Sequence, residues 1–274
     1  MAAVKTIVLK LGGELVQSPE LDVIADDLRT LVAGKNRVAI VHGGGPQATA
    51  LQKTLGLETK MIAGRRFTDP ATLDVMKYVV GGQLNFDLCA RLLSHGVRAV
   101  GLHGASGHVI RATKRPPKVM QGAGPDPVDL GLVGDVQGFN VELLGQLQAL
   151  DYVPVLACLG CDEKGQALNI NGDTVASQLG GALKADALVL ITSTPGVLKD
   201  VKDPASRIPR ITRPEFDRLC ADGTISGGMI PKLQESFDVL KHGAKSVVII
   251  GKLEKGQLVD AVMNPGSAGT VLEP

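Results

Sequence analysis

Thr6–Gly13 reads TIVLKLGG, an apolar run that carries one lysine and ends in two glycines. Runs of this length bounded by glycine read as strands buried on both faces, the habit of a parallel sheet. Lys10 is the anomaly. A cation at the end of a buried strand needs a partner, and tandem glycines beyond it let backbone N–H groups approach an anion closely. Alone, such a lysine reads as a strand end snorkelling to the surface. Recurrence changes that reading, because residues 37–41 form a second apolar run that enters His42-Gly43-Gly44-Gly45-Pro46, with Pro46 opening a helix. Strand, glycine turn, helix is the arrangement that turns free N–H groups and a helix N-terminus toward a phosphate or carboxylate.

Outward from these two turns the chain keeps a βαβ rhythm. Ser18-Pro19 follows a loop and starts a helix with Leu21, Ile24, Leu28 and Leu31 on one face and Gly34 as its stop. Thr68-Asp69-Pro70 caps a long helical stretch ending near Gly96, with Gly81-Gly82 as a break or close-packing point. A strand over residues 98–102 ends in His103-Gly104, and residues 108–136 read as hairpins or loops projecting from the main sheet. A helix over 140–150, a strand over 152–159 and a helix from Thr174 with Asp173 at its N-cap follow. Strands over 187–191 and 246–250 bracket a helix opened by Thr212 and Pro214 and another from about Met229 to Gly243. No linker rich in proline, glycine or serine interrupts this, so the expected sheet is continuous.

Composition narrows the function. A net charge of +1 in 274 residues gives no reason to expect nucleic acid or an anionic membrane. No segment approaches a membrane span, and the N-terminus lacks the pattern of a secretory signal. Cys89, Cys158, Cys161 and Cys220 are too scattered for a disulfide framework, which makes a cytoplasmic location the default. The Cys158-x-x-Cys161 pair has no second ligand pair for zinc, and His95, His103 and His108 have no carboxylate beside them in sequence; these are expected as structural, turn and surface residues. Gly43-Gly44-Gly45-Pro46-Gln47-Ala48 fits the dinucleotide fingerprint, yet Gly64-Arg65-Arg66 lies where its acidic residue belongs. A nicotinamide-dependent dehydrogenase therefore rests on a weak motif.

What rises above these readings is a set. Lys10 ends the first strand, Asn169, Asn171 and Asp173 precede a helix, and Lys232 lies in the first turns of another after Gly227-Gly228. Two lysines, an aspartate that can hold them and several exposed N–H groups are what phosphoryl transfer requires.

Over its whole length the chain resembles the amino acid kinase family, through Lys10-Leu-Gly-Gly13, His42-Gly-Gly-Gly45, Gly64-x-Arg66-x-Thr68-Asp69, Asp129-Leu-Gly-x-Val-Gly134, Asn169-Ile-Asn-x-Asp173 and Gly228-Met-x-x-Lys232. The resemblance implies an α/β fold, a three-layer αβα sandwich on a mainly parallel central sheet. It implies an amino-acid lobe over residues 1–180, which also dimerises, and a nucleotide lobe over 181–274. In the branch it matches best, the side-chain carboxylate of N-acetylglutamate is phosphorylated by ATP with Mg2+ in arginine biosynthesis, and no metal ligand is expected from the protein. Lys10 and Lys232 would stabilise the transferring group and Asp173 orient both. Gly44, Gly45, Arg66, Asn169 and Asn171 would hold the amino acid; Gly12, Gly13, Ser193, Thr194, Gly196, Val197, Leu198, Ile225, Ser226 and Gly228 would hold the nucleotide.

Departures from the family pattern stand at Ser193, where an aspartate is usual, at His103-Gly104-Ala105, and at Arg65, where the family has an apolar residue. They keep open a kinase for carrier-linked aminoadipate or glutamate, and a non-catalytic amino-acid-binding regulator. Arginine-inhibited members of the family that the chain resembles carry an extra helix before the first strand, whereas Lys10 comes almost at once here, so the resemblance implies a homodimer insensitive to arginine.

Overall fold

The glycine-bounded apolar runs do become parallel strands. A computed structural model describes residues 3–120, 122, 124–200, 202–226 and 229–274, apart from the side chain of Pro231. The chain begins with β1 (Thr6–Leu11), the short α1 (Gly13–Val16), α2 (Glu20–Ala33), β2 (Arg37–His42), α3 (Gly45–Thr54) and a hairpin of β3 (Met61–Ile62) and β4 (Arg65–Arg66). A long helical rod follows, made of α4 (Pro70–Met76), a wider π-helical stretch (Lys77–Leu84) and α5 (Asn85–Ser94). Then come β5 (Ala99–Leu102), β6 (Ile110–Lys114), β7 (Gly134–Phe139), α6 (Val141–Ala149), β8 (Val153–Ala157), β9 (Leu159–Cys161), β10 (Ala167–Asn169) and α7 (Gly172–Ala182). The last part comprises β11 (Ala187–Thr192), β12 (Arg210–Thr212), α8 (Arg213–Ala221), α9 (Met229–Lys241), β13 (Val247–Gly251), α10 (Gln257–Met263) and β14 (Thr270–Glu273).

One eight-stranded sheet runs β12-β14-β13-β11-β1-β2-β8-β5. It is parallel from β13 to β5, and β14 returns antiparallel to β13 with β12 beside it. On β1, Ile7, Val8, Leu9 and Leu11 are at most 1% exposed, as a strand covered on both faces requires. The β1-to-β2 and β8-to-β11 connections cross the sheet in opposite directions, and right-handed crossovers therefore put α2 and α7 on opposite faces. Consistently, α2 packs with α10 and α5, and α7 with α9. Between β1 and β11 the onward connections diverge, which leaves a crevice at the C-terminal ends of those two strands. Lys10 lies at that crevice. The strands on the β1 side of it all precede residue 180 and those on the β11 side all follow it.

Several elements differ from the reading of the sequence. Residues 13–16 form α1 instead of a loop, and the strand expected over 152–159 breaks at Cys158, where the chain leaves the main sheet. Its continuation, β9, joins β10, β6 and β7 in a separate four-stranded sheet; β6 and β7 pair antiparallel as the expected hairpin, and what the sequence did not announce is its pairing with strands further along the chain. The Gly81-Gly82 break falls inside the π-helical stretch, and a Cβ on Gly81 would come 3.0 Å from Leu159.

His95, at the end of α5, has carboxylate companions after all, supplied by α2. Its ring nitrogens lie 3.0 Å from Asp26 Oδ1 and 2.9 Å from Asp22 Oδ1, and Arg91 also pairs with Asp22. Asp26 first, then Asp22, raises the His95 pKa above the ordinary 6.5. A raised folded-state pKa contributes stability that is whole below pH 6.5 and is lost as pH rises through the folded value. Thermal melts at pH 6 and pH 8.5 should show the wild type losing more stability with rising pH than His95→Gln, by a difference within about 3 °C for these solvent-facing groups. Parallel pH dependence in the two proteins would remove this linkage.

Candidate active site

The crevice gathers the charges that the sequence spreads over more than two hundred residues. Lys10 Nζ sits 2.8 Å from Asp173 Oδ1. The helix cap expected at Asp173 falls instead on Asn171, whose Oδ1 accepts from Thr174 N–H at 3.1 Å. A capping side chain folds back on its own helix. Asp173, second residue of α7, is left free to project to Lys10 from the positive end of the helix dipole. Lys232 enters from the first turn of α9, which packs on α7. Burial pushes its pKa below the ordinary 10.5, while nearby Asp173 holds it up and Lys10 presses it down, so the three charges share one field.

A cavity of about 420 Å³ opens here, with Lys10, Asp173, Gly12, Gly13, Gly43, Gly44 and Gly45 in its wall. The two glycine turns touch back to back: a Cβ on Gly13 would lie 2.6 Å from Gly44 Cα, so no larger residue fits there without moving a backbone. On the other side stand Arg65, Arg66, Arg115, Asn169 and Asn171. Arg66 is held by Gly45 O at 2.9 Å, by Thr49 Oγ1 at 2.7 Å and by Gln52 Oε1. Asn169 donates to Thr68 Oγ1 at 3.0 Å, and Thr68 Oγ1 in turn donates to Arg66 O at 3.2 Å, so one buried chain of hydrogen bonds sets both residues. Asn171 spends its side-chain oxygen on the α7 cap while still facing the cavity.

Ser193, Thr194, Gly196, Val197 and Leu198 lie past the end of β11 and outside this cavity wall. Thr194 Oγ1 donates to Gly196 O at 3.0 Å, and Val197 N–H donates to Thr270 Oγ1 at 2.8 Å. Val197 and Ile225 are buried and Ser226 is exposed, whereas Gly228 lies outside the described residues. The reading of the sequence missed Glu14 and Arg115 in the wall. Arg115 lies in the region 108–136 expected as hairpins or loops; its Nε donates to Asp135 Oδ1 at 2.7 Å, an acceptor on β7 that no local pattern announces. Arg65 Nη2 lies 4.0 Å from Glu235 Oε1 on α9.

A family model described as "Amino acid kinase family" matches residues 5–251. The chain is 80% identical over 269 residues to the acetylglutamate kinase of Anaeromyxobacter dehalogenans (strain 2CP-C), covering 98% of this chain and 100% of that one. It is 53% identical over 268 residues to the acetylglutamate kinase of Sorangium cellulosum (strain So ce56), covering 98% and 94%. Among solved structures, N-acetylglutamate synthase from Neisseria gonorrhoeae, complexed with coenzyme A and N-acetyl-glutamate, superposes with a TM-score of 0.80 at 20% identity. That match covers 98% of this chain and 59% of the longer synthase, and shows the fold.

Because Gly13 faces backbone and Gly12 faces open space, alanine should separate them. Gly13→Ala is expected to lose about 1–3 kcal/mol of stability, and Gly12→Ala to unfold in urea close to the wild type. Equal midpoints for the two variants would show that the glycine turns do not abut.

Proposed function

The chain belongs to the amino acid kinase family, and on that footing we propose that it moves the γ-phosphoryl group of ATP onto the side-chain carboxylate of N-acetyl-L-glutamate, giving an acyl phosphate in arginine biosynthesis. The activity is the one for which relatives 53–80% identical over 98% of the chain are named. The observation that carries it is the Lys10–Asp173 ion pair at the strand crevice, with Lys232 on α9 within electrostatic reach of both.

The chemistry asks little covalent work of the protein. A side-chain carboxylate is ionised at neutral pH, so its oxygen attacks the γ-phosphorus without a general base while the bond to the bridging oxygen breaks and ADP leaves. Negative charge spreads over the equatorial oxygens, and Lys10 and Lys232 meet it from opposite lobes with Asp173 spacing the two ammonium groups. The N–H groups of Gly12, Gly13, Gly44 and Gly45 add fixed dipoles. Arg66 takes the α-carboxylate through the N–H donors that its own hydrogen bonds leave unused, with Asn169 and Asn171 beside it. Residues 1–180 then form the amino-acid lobe and 181–274 the nucleotide lobe, in keeping with the division of strands at β1 and β11. Ser193, Thr194, Gly196, Val197, Leu198, Ile225, Ser226 and Gly228 lie on the nucleotide side.

Among the described residues no group of three or more His, Cys, Asp or Glu could hold a metal; a Mg2+ ion would come with the nucleotide, on its phosphates. So bound, the ion would neutralise phosphate oxygens. No helix among the described residues is long and apolar enough to cross a membrane, and the four free cysteines suit a cytoplasmic enzyme. Tyr78, Phe86 and Leu93 are 65%, 73% and 66% exposed along the helical rod, an apolar face suited to pairing with a second copy.

The reading is tested by trapping acyl phosphate as hydroxamate with ATP and magnesium. N-acetylglutamate should be strongly preferred over N-acetylaspartate, N-acetylaminoadipate and free glutamate, and failure with all of them sinks the assignment. Lys10→Met and Lys232→Met should each lower kcat by about 10²–10³-fold, and Arg66→Met should chiefly raise the KM for the amino acid. The alkaline limb of the kcat/KM profile, which reports the free enzyme, should fall below pH 10.5 as Lys232 loses its proton, since its pKa is lowered there. Light scattering should give a dimer mass for the wild type and a monomer mass for Phe86→Asp; a Phe86→Asp dimer would place the interface elsewhere.

A further inference from the structure

His42 is the last residue of β2, wholly buried, and has no part in the chemistry above. Its two ring nitrogens are both used. Nδ1 lies 3.1 Å from Gly43 O, and Nε2 lies 2.9 Å from Asn85 Nδ2. The orientation of the Asn85 carboxamide is settled by its second partner, because the same Nδ2 donates to Val155 O at 3.1 Å and a carbonyl can only accept. Asn85 therefore gives one hydrogen to Val155 and the other to His42 Nε2. That nitrogen must offer its lone pair, the ring proton must sit on Nδ1, and Nδ1–H donates to Gly43 O. Burial pushes the His42 pKa down to about 4, which keeps the ring in this neutral form at neutral pH.

The consequence reaches the next residue. A trans peptide is planar, with C=O and N–H pointing in opposite directions. If the Gly43 carbonyl is turned inward to the His42 ring, the Gly44 N–H on the same plane is turned the other way, and Gly44 is in the cavity wall. Two further features fix the plane. A Cβ on Gly44 would lie 2.5 Å from Leu84 Cδ1 and 2.9 Å from Val80 Cγ2, so the rod packs directly on this peptide. A Cβ on Gly101 would lie 2.0 Å from Asn85 Oδ1, so β5 makes room for the carboxamide only by having glycine there.

We propose that His42 and Asn85 are positioning residues that aim the Gly44 N–H at the transferring phosphoryl group, acting through the Gly43 carbonyl. The inference rests on the phosphoryl-transfer reading of the site. Loss of the Nδ1–H donor frees the Gly43–Gly44 peptide to turn over, which would remove an N–H dipole from the cavity and put a carbonyl oxygen in its place.

The test uses the purified full chain. His42→Leu keeps an apolar filling but has no donor, and kcat should fall by about 10–10³-fold, with both KM values within about threefold of the wild type and the far-UV spectrum intact. His42→Asn, whose amide nitrogen can stand in for Nδ1–H, should recover at least about tenfold over His42→Leu. Asn85→Asp, which can only accept, should move the ring proton to Nε2, visible by 15N NMR of labelled histidine, and should lower kcat as well. A folded His42→Leu with wild-type kcat, or a wild-type spectrum showing the proton on Nε2, overturns the inference while the functional reading stands. No turnover of N-acetylglutamate by the wild type itself overturns that reading and this inference with it. Should His42→Leu fail to fold, the tautomer and kcat of Asn85→Asp decide: no change in either overturns it.

Discussion

The contact between Lys10 and Asp173 is the constraint on which the site depends. A lysine at the end of a strand covered on both faces has lost most of its water and needs an anion in reach. Asp173 can serve because Asn171 has taken the capping role on α7 and because the helix N-terminus favours a carboxylate at that point. The pair ties β1 to the helix that leads into β11, the two strands between which the sheet changes direction. Removing either partner leaves the other charge in a half-dry crevice, the costly way to break an ion pair. Lys232 then joins a field that already holds one cation and one anion. Desolvation working against its charge, with Asp173 supporting it, is the condition of a group kept for a ligand's negative charge rather than for solvent.

Positive charge dominates the cavity beyond this pair. Arg65, Arg66 and Arg115 join Lys10 in the wall, with Glu14 and Asp173 as its acids. A dicarboxylate and the phosphates of a nucleotide together carry more negative charge than one lysine could neutralise, so a wall of this kind suits their simultaneous presence. Arg66 and Arg115 are already oriented by oxygen acceptors, Arg66 by Gly45 O and Thr49 Oγ1 and Arg115 by Asp135. Their donors therefore need little rearrangement to meet a carboxylate. Arg65 differs, since its nearest anion is Glu235 on α9, the helix that carries Lys232, and this contact spans the crevice at 4.0 Å.

What the sequence made legible was punctuation. Apolar run and glycine turn mark β1, β2 and β11, with a helix start directly behind the turn at β2, and they locate the crevice because parallel strands place their C-terminal ends together. Lys10, Asp173 and Lys232 could be singled out because a charged residue at such a point conflicts with its apolar surroundings. Features made by pairing over long separations stayed hidden. The four-stranded sheet joins β6 and β7 to β9 and β10 across a stretch whose local composition is that of loops. His95 finds its carboxylates on α2, some seventy residues earlier. The shift of the α7 cap from Asp173 to Asn171 is a different kind of miss: both side chains cap helices well, and only the position of Lys10 decides which is spared for another task.

The helical rod over residues 70–94 shows how such a hidden feature can govern the site. Its middle is π-helical, which amounts to one extra residue in an otherwise regular helix and turns everything after it by about 100° relative to a continuous α-helix. Asn85 is the first residue after that stretch. Without the extra residue its carboxamide would face away from His42 and Val155, and Leu84 would not lie over Gly44. Glycines at 81 and 82 let the wider turn form and let Leu159 pack close against it. The same rod carries Tyr78, Phe86 and Leu93 on its outer side, so the face proposed above to meet a second copy and the face that braces the glycine turn belong to one element. A helix without the wide turn could present the outer face just as well, and it is the inner contacts to Gly44 and His42 that account for the turn.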